Sequence, residues 1–383
     1  YYYKMINWLI PFLSDLFSPF AAFSYIGVRA GAAFIFSFVV ALVIGKPLIK
    51  RLRESRVGER AENSDCDEVA EAYRKADKNG TPTMGGVFWL ASVLISTMVF
   101  GRIDEPLVLI GMVLMVGMGT IGFFDDQVKA NPNDPRKGLS RTAKMVPTLL
   151  LTLLVVGLLW KLGDAPGSYP ELRHIFMPVF KDLVIGGPEM SLLALGTVFF
   201  VVQTMCILGF SHAANVTDGL DGLAVGAAVP VLAAMGLSTY FVGNVLSANY
   251  LHLPFIPGSG EVTVLVAATL GASLGFLWFN ASPALIFMGD SGSLPLGAAM
   301  AYFAIVSKQE ILLILIGGVF TIEVASSLLQ ILCYKRFGWR PFRKAPIHHI
   351  WQLDGMPEAR IVARFWIVSA LFASLGLLLI KLR

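Results

Sequence analysis

The sequence predicts an all-α polytopic membrane protein of about ten transmembrane helices, with both termini extracytoplasmic. Three observations predict it. Of the 383 residues, 56% are hydrophobic and 15% charged, with a mean hydropathy of +0.69. Such a composition excludes an ordinary soluble domain and an unfolded chain. Apolar runs long enough to span a bilayer recur along the whole length. Lys and Arg, finally, gather in alternate loops.

Taken in order, the spans are Tyr25–Ile49, Met84–Phe100, Pro106–Phe124, Met145–Leu162, Ser191–Phe210, Leu223–Phe241, Val262–Phe279, Ser293–Ser307, Ile311–Leu332 and Ile361–Ile380. The eighth is short and is expected to tilt little. Residues 1–24, with Trp8, Phe12, Phe17 and Phe20, read as an interfacial segment before the first span. No cleavable signal peptide is expected. The loops at 50–83, 125–144 and 335–360 carry 19 Lys and Arg, against 7 in the opposite set. The positive-inside rule puts that richer set in the cytoplasm, together with the short connections 211–222 and 280–292. The whole chain, 1–383, reads as a single integral membrane domain without a convincing internal repeat. Cys66, Cys206 and Cys333 have neither disulfide nor zinc spacing.

Five aspartates stand out against this apolar background: Asp125, Asp126, Asp218, Asp221 and Asp290. The predicted topology places all five on the cytoplasmic face, so the active site is expected there. Asp125-Asp126 closes the third span, at a helix C-terminus whose dipole disfavours negative charge. A solvated helix end is the plain reading, but the pair breaks a local electrostatic rule. Asn215, Asp218 and Asp221 are spaced by three, so a helical segment would put them on one face. Free N–H groups at the helix start beside them would suit a phosphate. Asp290, in Phe287-Met-Gly-Asp-Ser-Gly-Ser, reads by itself as a helix N-cap. Convergence on one face is what argues for chemistry. Clustered carboxylates call for a divalent cation, and magnesium typically takes one or two of them, leaving phosphate and water to complete its shell.

Basic residues accompany the acids. Lys78 precedes the second span, and Lys129, Arg136, Lys137, Arg141 and Lys144 follow the aspartate pair. Arg343, Lys344, His348 and His349 lie in the last cytoplasmic loop. Topology signalling and lipid-headgroup attraction account for most single members. Together they suit a diphosphate and a lipid phosphate. Two adjacent histidines without a nearby cysteine do not make a zinc site. An ion-coupled transporter or lipid flippase would carry charges near the bilayer midplane; here the acids gather at one face instead.

The ordered motifs Thr81-Pro-Thr-Met-Gly-Gly, Gly122-Phe-Phe-Asp-Asp, Asn215-Val-Thr-Asp-Gly-Leu-Asp-Gly, Phe287-Met-Gly-Asp-Ser-Gly-Ser and Lys344-Ala-Pro-Ile-His-His resemble one family. It is the phospho-MurNAc-pentapeptide translocases, among the polyprenyl-phosphate N-acetylhexosamine-1-phosphate transferases. Leu274–Asn280 is also similar to the family. The resemblance implies a magnesium-dependent enzyme of peptidoglycan synthesis, and so of cell wall biogenesis, cell shape and division. Phospho-MurNAc-pentapeptide would move from UDP-MurNAc-pentapeptide to undecaprenyl phosphate, giving lipid I and UMP. A multi-pass protein of the bacterial inner membrane is implied, among membrane lipid, as a homodimer sensitive to uridine-containing nucleoside inhibitors and with no nucleic-acid partner. The close alternative is a sister transferase moving GlcNAc-1-phosphate from UDP-GlcNAc to a polyprenyl phosphate.

Position by position, Asp290 matches the family's magnesium ligand, and Asp125, with Asp126 beside it, the aspartate assigned to deprotonating the lipid phosphate. Lys78, Asn215, Asp218, Asp221, Asn280 and Phe287 match the nucleotide pocket, where a Phe287 ring suits stacking on uracil. Lys129, His348 and His349 join the substrate-binding set. This chain departs from the family where Ile350 and Gln352 replace a third histidine and a glutamate, and where His212 replaces an asparagine.

Overall fold

A computed structural model describes residues 18–54, 81–131, 138–164, 169–178, 184–186 and 191–381. Lys78, Cys66, Arg136 and Lys137 lie outside the described residues. Each expected span has a helical counterpart. In chain order these are α1 (Ile26–Glu54), α2 (Gly86–Phe100), α3 (Pro106–Ala130), α4 (Arg141–Leu162), α5 (Leu192–Thr217) and α6 (Leu223–Val242). There follow the short α7 (Val245–Leu251), then α8 (Ser259–Asn280), α9 (Asp290–Val306), α10 (Leu313–Ile316), α11 (Gly318–Phe337), the short α12 (His348–Leu353) and α13 (Glu358–Lys381). Seven of these, α1, α3, α4, α5, α6, α8 and α13, are long and apolar enough to cross a membrane. The chain is a multi-pass, mostly helical membrane protein. A two-residue antiparallel pair, β1 (Ile175–Phe176) and β2 (Val184–Ile185), decorates the α4–α5 connection.

Helix α9 forms the axis of the bundle. All of its residues are buried, and α3, α5, α6 and α2 pack around it. Its 17 residues include many Gly, Ala and Ser, so neighbouring backbones approach closely. Helix α8 packs against α1, α6 and α2 and is mostly buried as well. The outer helices carry exposed apolar faces, such as Met145, Val146, Leu150 and Leu154 on α4, as lipid contact requires. At the α1 and α8 N-termini, the buried Arg29 guanidinium donates to both Glu261 oxygens at 2.8 and 2.7 Å. That paired fork is the geometry in which a buried ion pair repays its desolvation.

Several expectations need correction. Helix α3 runs to Ala130 rather than stopping at Phe124, so Asp125 and Asp126 lie inside its last turns. Lys129 forms an i,i+4 ion pair with Asp125 at 2.7 Å and sustains that extension. The loops 50–83, 125–144 and 211–222 shrink accordingly, because α1 reaches Glu54 and α5 reaches Thr217. The ninth span is two helices: a methyl group on Gly317 would press on the Phe210 ring, and one on Gly318 on the Phe372 ring. The connection after α6 contains α7, whose start is capped by the Asn244 side chain accepting from Ser247 N at 3.0 Å.

Candidate active site

The α3, α5 and α8 C-termini and the α2, α6 and α9 N-termini meet at one end of the bundle, away from Arg29 and Glu261. They enclose a cavity of about 240 Å³. Asp126, Lys129, Asn215, Asp218, Asp221, Asn280, Phe287 and Asp290 all line it, joined by Thr83 and Gly289. Asp125 sits immediately behind: one oxygen from each of Asp125, Asp126 and Asp290 lies within 4.8 Å of the other two. The five aspartates picked out by sequence therefore surround one space.

Two glycines permit this convergence. A methyl group on Gly122 would reach 2.1 Å from the Asp290 carbonyl oxygen, so only glycine lets α3 touch the start of α9. Gly289 has a positive φ of 69° and a hydrogen atom where a methyl group would lie 2.4 Å from an Asp126 oxygen. With both glycines in place, the Asp126 carboxylate accepts from the Asp290 and Ser291 N–H groups, each at 2.9 Å. Asp126 thus caps α9 from another helix, where the dipole favours a negative charge. Asp290 is not the N-cap that its sequence position suggested. Freed of that duty, its side chain accepts from Asn215 Nδ2 at 2.7 Å, from Lys129 Nζ at 3.0 Å and from Lys144 Nζ.

Asp125 is only 1% exposed and equally well held. It accepts from Lys144 Nζ at 3.0 Å and from Leu139 N at 2.8 Å, besides its Lys129 pair. Asp125 and Asp290 thus share two ammonium groups, while Asp126 is held by backbone N–H groups. The remaining acceptor capacity is hard, anionic and oxygen-only, which fits a magnesium-sized divalent ion. The sequence places Lys144 among the basic residues after the aspartate pair but does not single it out as a partner of Asp290. Its partner Asp290 lies 146 residues away, and no local pattern links them.

The nucleotide-side candidates divide. Asn215 lies on α5, but Asp218 is its C-cap and Asp221 sits in the following turn, so the three do not share a helix face. Nor are the N–H groups before α6 free for a phosphate. Asp221 N donates to Glu358 Oε1 at 2.7 Å and Gly222 N to Asn280 Oδ1 at 3.0 Å. Asn280 also donates to the Ile286 carbonyl at 2.8 Å, and Asp221 Oδ2 accepts from Ala284 N at 3.1 Å. These two side chains brace the walls as well as lining the cavity. Phe287 is fixed through its backbone, which donates to the Pro82 carbonyl at 2.8 Å and accepts from Gly85 N at 2.9 Å.

The histidines lie apart from the cavity lining. His348 is fully buried, with Nδ1 3.0 Å from Glu323 Oε2 and its ring against Gly219. It backs the wall instead of facing the space. His349 lies against it with the two rings tilted by 54°, and its Nδ1 is 3.0 Å from Gln352 Oε1. Burial pushes the His349 imidazole down to about 4, the neighbouring His348 adding to the shift and Gln352 opposing it.

Comparison with known protein families gives two matches. The model of glycosyl transferase family 4 matches residues 108–308, a little over half of the chain. The phospho-N-acetylmuramoyl-pentapeptide-transferase signature 1 matches residues 78–90. The first covers α3 through α9 and so every aspartate of the site. The second covers the segment that pairs with Phe287 and Met288 along the cavity edge.

Proposed function

The chain belongs to glycosyl transferase family 4 and carries the phospho-N-acetylmuramoyl-pentapeptide-transferase signature, and on that premise we propose that it makes lipid I. The donor is UDP-MurNAc-pentapeptide, the acceptor undecaprenyl phosphate and the second product UMP. The observation that carries the reading is the convergence of Asp125, Asp126, Asp218 and Asp290 on one cavity beside the signature segment. A cavity at the bundle's end suits a soluble nucleotide meeting a lipid phosphate at the membrane surface. We further propose ten spans with both termini extracytoplasmic, the site facing the cytoplasm, location in the bacterial inner membrane and a homodimer.

In this mechanism a lipid-phosphate oxygen attacks the sugar-bound phosphorus of the donor, and the bond to UMP breaks. Asp290, with Asp125 beside it, is the candidate to hold magnesium, which when bound would neutralise charge on the diphosphate. Asp126 keeps Asp290 in register through its two bonds to the α9 start. Lys129 and Lys144, which pair with Asp125 and Asp290, are the cations placed to meet the donor's phosphate oxygens. Asp125 takes whatever proton the acceptor phosphate still carries. That phosphate is largely ionised near neutral pH, so orienting the acceptor is its larger contribution. Asn215 and Asp218 hold the nucleoside side, with Phe287 stacking on uracil. Lys78 is proposed for the same pocket by its family position and His349 for the sugar-peptide end, while His348 supports the wall behind Gly219.

The sister reaction from UDP-GlcNAc has one feature in its favour, the loss of the third histidine and the glutamate at Ile350 and Gln352. The signature at 78–90 weighs the other way. Label from UDP-MurNAc-pentapeptide should enter an extractable lipid only with undecaprenyl phosphate and magnesium both present. Label trapped on Asp125 or Asp126 without the acceptor would overturn direct attack in favour of a covalent route.

A further inference from the structure

The turn between α5 and α6 carries Asp218 into the cavity, and bonds from α13 add to those the turn makes itself, Gly219 N to the Thr217 carbonyl at 2.8 Å and Leu223 N to the Leu220 carbonyl at 3.0 Å. The Asp221 N–H is taken by Glu358 Oε1 at 2.7 Å, and the Gly222 carbonyl accepts from Trp366 Nε1 at 3.0 Å. Both side chains belong to α13, two turns apart. The indole is seated where any larger residue at position 226 would collide: a methyl group on Gly226 would lie 2.0 Å from Trp366 Nε1. Glu358 is at the start of α13, where the helix dipole favours its charge and the bond it accepts is charge-assisted. The last helix therefore grips one N–H and one C=O of adjacent residues in the turn. Both residues lie beyond the stretch matched by the family model, residues 108–308.

We propose that Glu358 and Trp366 are positioning residues for the nucleotide donor, acting through the Asp218–Gly222 turn that they clamp. The inference rests on the donor reading given above. Neither side chain lines the cavity, so each acts on donor binding through the turn and leaves the reacting groups on α3 and α9 in place. The expected signature is a split: KM for the donor rises, while kcat and KM for the acceptor stay near wild type. A bond lost from a turn that keeps its other supports is expected to shift affinity about fivefold to tenfold.

The test uses the purified full-length protein with UDP-MurNAc-pentapeptide, UDP-GlcNAc and undecaprenyl phosphate. Glu358→Ala should raise KM for the turned-over donor about tenfold, with kcat within about twofold of wild type. Glu358→Gln retains a side-chain oxygen to accept the Asp221 N–H and should recover most of the loss. Trp366→Phe keeps the ring but not the donor and should raise the same KM about fivefold. Amide exchange in the 217–224 peptide should quicken in Glu358→Ala and Trp366→Phe and stay slow in Glu358→Gln. If Glu358→Ala does not fold, Trp366→Phe and Glu358→Gln decide by the same two measurements. Unchanged donor KM, equal shifts in both substrates, or failure of Gln to rescue would overturn the proposal while leaving the transferase reading intact. A wild type that turns over neither UDP-sugar would bring down that reading and this inference with it.

Discussion

Asp126→Ala should lower the protein's stability, because its carboxylate caps the start of α9 from another helix. The perturbation strips two buried N–H groups, those of Asp290 and Ser291, of their acceptor at 2.9 Å. A hydrogen bond to a charged group contributes about 1.5–3 kcal/mol. The cavity beside Asp126 admits water that replaces part of this, so the low end applies and the two bonds amount to about 3 kcal/mol. At roughly 2 °C per kcal/mol for a large domain, Tm should fall by roughly 6 °C. Asp126→Asn keeps one acceptor and should cost about half as much. Asp290→Asn leaves the cap intact but gives up the charge that Lys129 and Lys144 bind, so it too should lower Tm, with the α9 start still capped. Its turnover should fall at least about a hundredfold, as expected when a charge-stabilising group is lost from a transfer site. Intrinsic fluorescence melts in one detergent, paired with turnover, measure both quantities. A wild-type Tm for Asp126→Ala would refute the capping argument.

Three further outcomes are expected. Gly122→Ala places a methyl group 2.1 Å from the Asp290 carbonyl oxygen; it should cost about 1–3 kcal/mol by overpacking and lower turnover by displacing Asp290, as paired melts and assays would register. Asp218→Ala should weaken binding of a uridine nucleoside inhibitor by about tenfold in calorimetry, consistent with loss of one charged contact, whereas unchanged binding would move Asp218 out of the nucleotide pocket. His349 lies lower in the folded state, at about 4, than its ordinary value. Between about 6.5 and 4 the unfolded chain therefore binds the extra proton, and stability falls as pH falls through that window. His349→Gln should flatten the dependence of Tm on pH between 7 and 5, and an unchanged slope would contradict the assignment.

Much of the site could be read in the sequence because each aspartate adjoins an apolar run, and the Lys and Arg bias predicts one membrane face for all of them. Partnerships could not be read, since they join residues far apart in the chain. Asp126 is 164 residues from the Asp290 N–H that it caps, and Asp221 is 137 residues from Glu358. The spacing of Asn215, Asp218 and Asp221 suggested one helix face, but α5 ends before the second of them. Apolar periodicity located the helices well and missed the break at Gly317, whose φ of −90° and ψ of 30° leave the helical region between α10 and α11. His348 shows the limit of motif reasoning most plainly: a position expected to touch substrate is buried behind Gly219 and bonded to Glu323.

The identity of the donor is the decisive point. Purified protein supplied with undecaprenyl phosphate and magnesium, and offered radiolabelled UDP-MurNAc-pentapeptide or UDP-GlcNAc in parallel, should convert the first into a labelled lipid with release of UMP and leave the second unused. Labelled lipid from UDP-GlcNAc alone, or from neither donor, would contradict the proposed reaction.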